Sequence, residues 1–578
     1  MRRLSRLAPL VAVALLAGCT GIPTSSAPQV VRSGERSSAA GQPQTHITPV
    51  PGEGPHEAVT NFVIAAVDAD AGHSSSRQFL TTGAARRWQD NQTVILDEAT
   101  VGEPTISGDT AVLQVTGRRV GQLDASGVFT PTLKRMGAGD PEAFNFRLTK
   151  VAGQWRIEQL PPGVLISASA FTASYHLRPL YFFDSAQSIL VPDLRYTPLQ
   201  GQALASWLLT ELLAGPRPEL AQTVVTEVPD QVGKPSVQVG DPTTVEMPGT
   251  AQLRATELNP LATQLAYTLG QGLSQFGGQL ELTDGGKAVP VPASSGLQFS
   301  TATFPSANPD IVPGGDLYFL RSGAVVDSKN VPLSNLLGQT RWNFTSVTLR
   351  SNSAQSLLAA GLTAGGQLLI GDDRRLAPVN LPQPATSKPE WRPYAEDVWL
   401  GAGSRGAIYR VPVDGAVGPV SITSQVGSLP PARITAVRFS SDGDRVALVL
   451  RGPGDAGTAW VGSVVTSGSD VRVDSLEPLT PPALSVTDVA WADPTRLLLI
   501  AAAPGAEPRV WQVYSDGSQL DTMPNIGLPG PPTAITAAVG EPPVVAAEGS
   551  IWLLNEGTWA SVSGTSTPAP GTNPVYAP

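Results

Sequence analysis

The sequence predicts a multidomain chain, α+β in its first half and all-β in its second, where it closes as a β-propeller of about five or six blades. Three observations predict it. Apolar residues recur at helical spacing only before about residue 300. Beyond that point Phe344-Thr345-Ser346-Val347, Ile434-Thr435-Ala436-Val437, Val486-Thr487-Asp488-Val489 and Ile535-Thr536-Ala537-Ala538 can be laid over one another at steps of 90, 52 and 49 residues. The composition is turn-rich and globular, with 58 Gly, 54 Pro, 41% hydrophobic and 15% charged residues in 578. A chain this long exceeds one hydrophobic core and requires several domains.

Taken in order, Arg2, Arg3 and Arg6 precede a short apolar run, Leu7 to Ala17, and then Gly18 and the only cysteine, Cys19. That pattern is an export signal over residues 1–18. Its apolar run is shorter than the roughly 20 residues that a membrane-spanning helix needs. Leu16-Ala17-Gly18-Cys19 resembles the bacterial lipobox, which implies that Cys19 carries a diacylglyceryl thioether and becomes an acylated N-terminus. The expected location is therefore the cell membrane, lipid-anchored on the extracytoplasmic face. Residues 19–54 hold the lipidated cysteine and a stretch rich in Ser, Pro, Gly and Gln, a flexible tether.

Residues 55–170 read as a first α+β domain. Val59, Phe62, Val63, Ala66 and Val67 make one helical face, and a shorter helix around Ala84 to Gln89 carries Trp88. Strand patterns follow at Gln92 to Leu96, Ala111 to Thr116, Phe144 to Leu148 and Trp155 to Gln159, the last two forming a hairpin over Ala152-Gly153-Gln154. Helices followed by a curved sheet of this kind resemble the nuclear-transport-factor-like cones.

Residues 171–295 read as a second α+β domain. Leu180 to Phe183 is a strand, and Leu204, Trp207, Leu208 and Leu212 share a helical face stopped by Gly215-Pro216. A second helix is expected to start with Asn259 as N-cap and Pro260 at its first position, with Leu261, Leu265 and Leu269 on one stripe. Leu212-Leu213-Ala214-Gly215-Pro216 and Leu265-Ala266-Tyr267-Thr268-Leu269 resemble the two helix signatures of GerMN domains. Thr244-Val245-Glu246-Met247-Pro248 replaces the acidic-serine strand motif of that family.

The propeller is expected over residues 296–564, with a Pro/Thr-rich tail at 565–578. A hidden blade is expected near Trp391 to Gly401, because the 90-residue step is about twice the others. Ser441-Asp442-Gly443 and Ser515-Asp516-Gly517 are hairpin-turn chemistry.

The order of lipobox, polar tether, GerMN-like unit and terminal propeller is similar to that of the actinobacterial LpqB lipoproteins, over essentially the whole chain. That resemblance implies a partner, the extracytoplasmic part of an MtrB-type sensor kinase in an MtrA/MtrB two-component system. It implies an accessory role in cell-envelope and division signalling.

Catalysis is not expected. The net charge of −10 has no basic block to offset it, which excludes a nucleic-acid footprint. The four histidines, His46, His56, His73 and His176, all precede the propeller, leaving it without an imidazole for a Ser-His-Asp triad or a histidine metal site. His56-Glu57-Ala58-Val59-Thr60 has Thr where a zinc-protease helix needs its second histidine. Gly72-His73-Ser74-Ser75-Ser76 lacks the last glycine of a nucleophile elbow. No Ser-x-x-Lys occurs, and Gly285-Gly286-Lys287-Ala288 lacks the spacing of a phosphate loop. No cofactor and no metal are expected. Asp372-Asp373 and Glu396-Asp397 read as solvated turns, with a glycosidase-type carboxylate pair as the alternative. Trp391, Tyr394 and Trp399 read as blade packing, with a sugar-stacking patch as the alternative. A second function therefore stands beside the first, that of an envelope glycan-binding or glycan-processing lipoprotein.

Overall fold

A computed structural model describes residues 47–578 except 70–71, 133–140, 230–232, 311–314, 353–355, 414–415, 425–431, 453, 455, 469 and 565–567. The export signal, Cys19, most of the tether and His46 lie outside the described residues.

The first α+β unit packs the helix Pro55–Ala65 against a sheet. Pro55 opens the helix and Ala58, Val59, Phe62 and Ala65 form its buried stripe. The sheet runs Gln154–Gln159, Glu142–Val151, Thr110–Leu123, Thr93–Val101, Val164–Ser167, with only the last pair parallel. Phe146 and Leu148 point into the core as the alternation predicts, with Trp155 and Ile157 on the partner strand of the hairpin. Phe144 is only partly buried at the edge of that core.

The second unit forms a three-stranded and a five-stranded sheet around two helices. Gly201–Ala214 buries Leu204, Leu208 and Leu212 against Leu261, Leu265 and Leu269. The second helix starts earlier than the sequence suggests, at Ala255, so Pro260 lies inside it. Glu257 makes that start possible: its Oε2 accepts the Arg254 backbone N–H at 2.9 Å. Glu246, in the segment that departs from the GerMN pattern, accepts from Thr283 Oγ1 at 2.6 Å and from the Gly285 and Gly286 amides at 2.7 and 3.1 Å. Those donors hold its carboxyl below the usual range, led by the Thr283 hydroxyl. Phe299, Phe304 and Ala307 complete this unit's core, which therefore runs past residue 295.

The propeller begins at the strand Asp316–Arg321. Its blades have innermost strands Phe344–Ser351, Glu390–Trp391, Arg433–Phe439, Ser485–Asp493, Pro532–Thr536 and Thr572–Ala577. Each packs beside the next and the last packs beside the first, which closes the ring. The hidden blade is present, from Glu390–Trp391 through Gly418–Ser424. The Pro/Thr-rich tail is corrected: Thr572–Ala577 pairs antiparallel with Asp316–Arg321 and supplies the innermost strand of the first blade. Asn573, Pro574, Tyr576 and Ala577 are buried there, so this composition belongs to a wall of the ring. At one place two blades also join at their rims, where Gly418–Ser424 pairs in parallel with Asp470–Pro478.

Candidate functional site: the propeller channel and the braced face

The innermost strands surround a cavity of about 340 Å³. Residues of every blade line it, among them Arg350, Lys388, Glu390, Trp391, Tyr394, Arg438, Trp491, Ile535 and Asn573. Successive blades bring their channel-facing residues together, and here Lys388, Glu390, Arg438 and Asp488 carry charge. Asp488 Oδ2 accepts from Lys388 Nζ at 3.3 Å and from the Ile535 amide at 3.2 Å. Its Oδ1 accepts from the Val489 amide at 3.0 Å and faces Arg438 Nη2 at 3.5 Å. Four consecutive blades thus meet on one carboxylate. Glu390 Oε2 lies 3.4 Å from Arg438 Nη1.

The four charges differ in how firmly they are held. Burial opposes ionisation of Asp488, yet Lys388, Arg438 and two backbone amides outweigh it and keep the carboxyl below its usual range. Burial pushes Glu390 up to about 7, with Arg438 and Lys388 offsetting only part of that and Asp488 adding to it. Burial pulls the Lys388 ammonium below its usual value, with Asp488 opposing. Lys388 nevertheless keeps 28% of its side chain exposed, more than any other member of the group.

One end of the ring is braced by both α+β units through the segment 193–197. Arg195 donates to Ser126 O and Oγ in the first unit, at 3.2 and 2.9 Å, and pairs with Asp193 at 2.8 Å. Asp193 also accepts the Arg217 amide, and Arg217 reaches Glu477 of the propeller at 3.4 Å. Ser463 donates to Glu219 O at 2.8 Å, and Tyr196 shares a 2.5 Å hydrogen bond with Ser518. Gly127 is required at this junction: it has φ +76°, and a Cβ there would come within 2.6 Å of Tyr196 O.

The residues singled out in the sequence separate into distinct roles. Ser441-Asp442-Gly443 and Ser515-Asp516-Gly517 are turns, yet Asp442 and Asp516 are buried, the first paired with Arg445 at 2.8 Å. Gly517 lies against Pro131 of the first unit. Asp372 caps its own turn through the Arg374 and Arg375 amides. The solvated reading of Asp397 is corrected: it is 1% exposed and paired with Arg410 at 2.5 Å, inside the strand Asp397–Ala402, while Glu396 is exposed. Trp391 and Trp399 are buried packing residues, whereas Tyr394 is 70% exposed at the channel with φ +56°. His73 is buried edge-on to Trp88 and has φ +57°, and Ser76 beside it is fully buried. Lys388, Arg438 and Asp488 escaped the sequence reading. No repeat signal marked them, since Lys388 precedes its blade's innermost strand and the overlay that matches Ile434 with Val486 sets Asp488 against Ala436, not Arg438.

Among the described residues no group of three or more His, Cys, Asp or Glu is placed to hold a metal, and no helix is long and apolar enough to cross a membrane. Two family models match the chain: "Lipoprotein LpqB, N-terminal domain" over residues 48–172 and "Lipoprotein LpqB beta-propeller domain" over residues 321–577. The chain is similar to lipoprotein LpqB of Mycobacterium tuberculosis, 28% identical with 100% of each chain covered. It is similar to that of Rhodococcus opacus, 27% identical over 92% of this chain and 90% of the relative. A gluconolactonase from Xanthomonas campestris overlays 45% of this chain and 90% of its own at 13% identity and a TM-score of 0.30, too low to bear on function.

Proposed function

Since the chain belongs to the lipoprotein LpqB family, we propose that it is a non-catalytic accessory of an extracytoplasmic sensor-kinase domain, held at the outer face of the cell membrane by lipid on Cys19. The observation that carries this reading is the brace along 193–197. It ties two α+β units and a propeller into one body, so that a contact anywhere on its surface is presented in fixed geometry to a second membrane protein. Such a body acts by binding one conformation of the kinase more tightly than another; equal affinity for both would shift nothing.

The test is saturable binding of the soluble chain, residues 20–578, to a purified MtrB-type ectodomain, with an unrelated kinase ectodomain as control. Binding to the first alone, together with changed kinase autophosphorylation in vesicles carrying both proteins, supports the proposal. Equal binding to both ectodomains, or to neither, sinks it.

A further inference from the structure

Inside the channel the four charged groups do not balance in a fixed way. Asp488 is committed, with two cations and two backbone amides on its two oxygens. Arg438 is committed on one side only: Nη2 faces Asp488 at 3.5 Å, while Nη1 donates to Val437 O at 2.8 Å and faces Glu390, a carboxylate it loses when Glu390 holds its proton. Lys388 is different. Its ammonium has three N–H donors, it makes one hydrogen bond, and it is the most accessible of the four. Glu390 is the only counter-charge left for it, and burial resists ionising Glu390. When Glu390 holds its proton the group carries one excess positive charge, and the donors with spare capacity face the cavity.

The walls fit a small body with an apolar side. Trp391, Phe439 and Trp491 line the cavity as buried rings, and Tyr394 stands at it as an exposed one, held by a backbone conformation that non-glycine residues rarely adopt. A volume of about 340 Å³ is at the small end of ligand sites, which span roughly 300–1,000 Å³. That suits one ring with its substituents and rejects a polymer chain.

We propose that the propeller channel binds a small organic acid, its carboxylate received by Lys388 and Arg438 and its body laid against Trp391, Tyr394 and Trp491. Nothing in this rests on a kinase contact. The acid and the Glu390 carboxylate compete for the same two cations, so binding the acid favours the protonated form of Glu390. The groups facing Glu390 are Arg438, Asp488 and Lys388; Arg350 and Asp493 also line the cavity.

The experiment is titration of the full-length protein with two matched pairs, phenylacetate against phenylacetamide and glucuronate against glucose, with phenethylamine as the cationic control. The first pair reports an aromatic acid and the second a sugar acid. At pH 6 one acid is expected to bind at least about tenfold more tightly than its uncharged twin, and its affinity should fall towards tenfold per pH unit above pH 7 as Glu390 ionises. Glu390→Gln should flatten that dependence, keeping the pH 6 affinity up to pH 8.5. Lys388→Met should abolish the preference for the acid and Lys388→Arg should restore it. Should Lys388→Met fail to fold, the near-isosteric Glu390→Gln still decides the matter. Equal binding of acid and twin, preference for phenethylamine, or no saturable binding of either acid at millimolar concentration overturns the proposal.

Discussion

His73 shows how one side chain can couple the first unit to acidity. Burial pulls its imidazole below the usual value, with Asp90 opposing, so the folded protein holds it neutral where an unfolded chain would protonate it. The unfolded state binds the extra proton, so stability is full above about pH 6.5 and declines as the pH falls below it. His73→Gln is expected to flatten that acid limb in urea melts followed by far-ultraviolet circular dichroism. Glu390 has the opposite sign. Its raised value means that it contributes stability below about pH 4.5 and loses it as the pH climbs to about 7, so Glu390→Gln should gain stability relative to the native chain at pH 8. Cys19→Ser should release the protein from membranes without changing its melting, and a variant that still sediments with membranes would refute lipid anchoring through that thiol.

At the scale of strands, the channel group acts as a clasp. Asp488→Ala would leave Lys388 and Arg438 without their shared carboxylate and is expected to cost on the order of 3 kcal/mol in chemical denaturation. Asp488→Asn, which keeps the shape, should cost less. Some individual strands were legible in the sequence: Leu180–Asp184 and Gln154–Gln159 lie within a residue of the bounds read from their apolar runs. Local patterning sufficed there because each strand buries its own face. It failed where the partner is distant. Thr572–Ala577 looks like a tail because Pro574 and Asn573 are poor strand residues, and only pairing with Asp316–Arg321 makes them part of a sheet. Asp397 reads as a turn residue because Arg410, which buries it, is contributed by the next strand. Pro260 marks a helix start in sequence, but the Glu257 cap moves that start a full turn earlier. The channel charges lay beyond pattern altogether, since Lys388, Arg438 and Asp488 become neighbours only when consecutive blades pack side by side.

Across the whole molecule, rigidity depends on the contacts around 193–197. Gly127→Ala forces a Cβ against Tyr196 O, and Arg217→Ala removes the link from Asp193 to Glu477. Gly127→Ala is expected to loosen the first unit from the brace, and Arg217→Ala the second unit from the ring, while each part stays folded. Small-angle scattering should then show a larger radius of gyration, and limited proteolysis should cut between the units. Unchanged scattering from both would mean that the brace is not what holds them. If kinase modulation needs fixed geometry, the loosened variants should bind the ectodomain and fail to alter its activity.

The strand Thr572–Ala577 is a wall of the first blade. Its partner, Asp316–Arg321, is translated almost a whole propeller earlier and must wait with one edge unpaired. Until Thr572–Ala577 pairs, the two α+β units can mature while the ring remains an open arc, vulnerable to proteases and to pairing with other chains. Closure is thus a test of the whole chain: a variant lacking Thr572–Ala577 is expected to keep both α+β units folded, to leave the ring open and to be cut within the propeller by added protease.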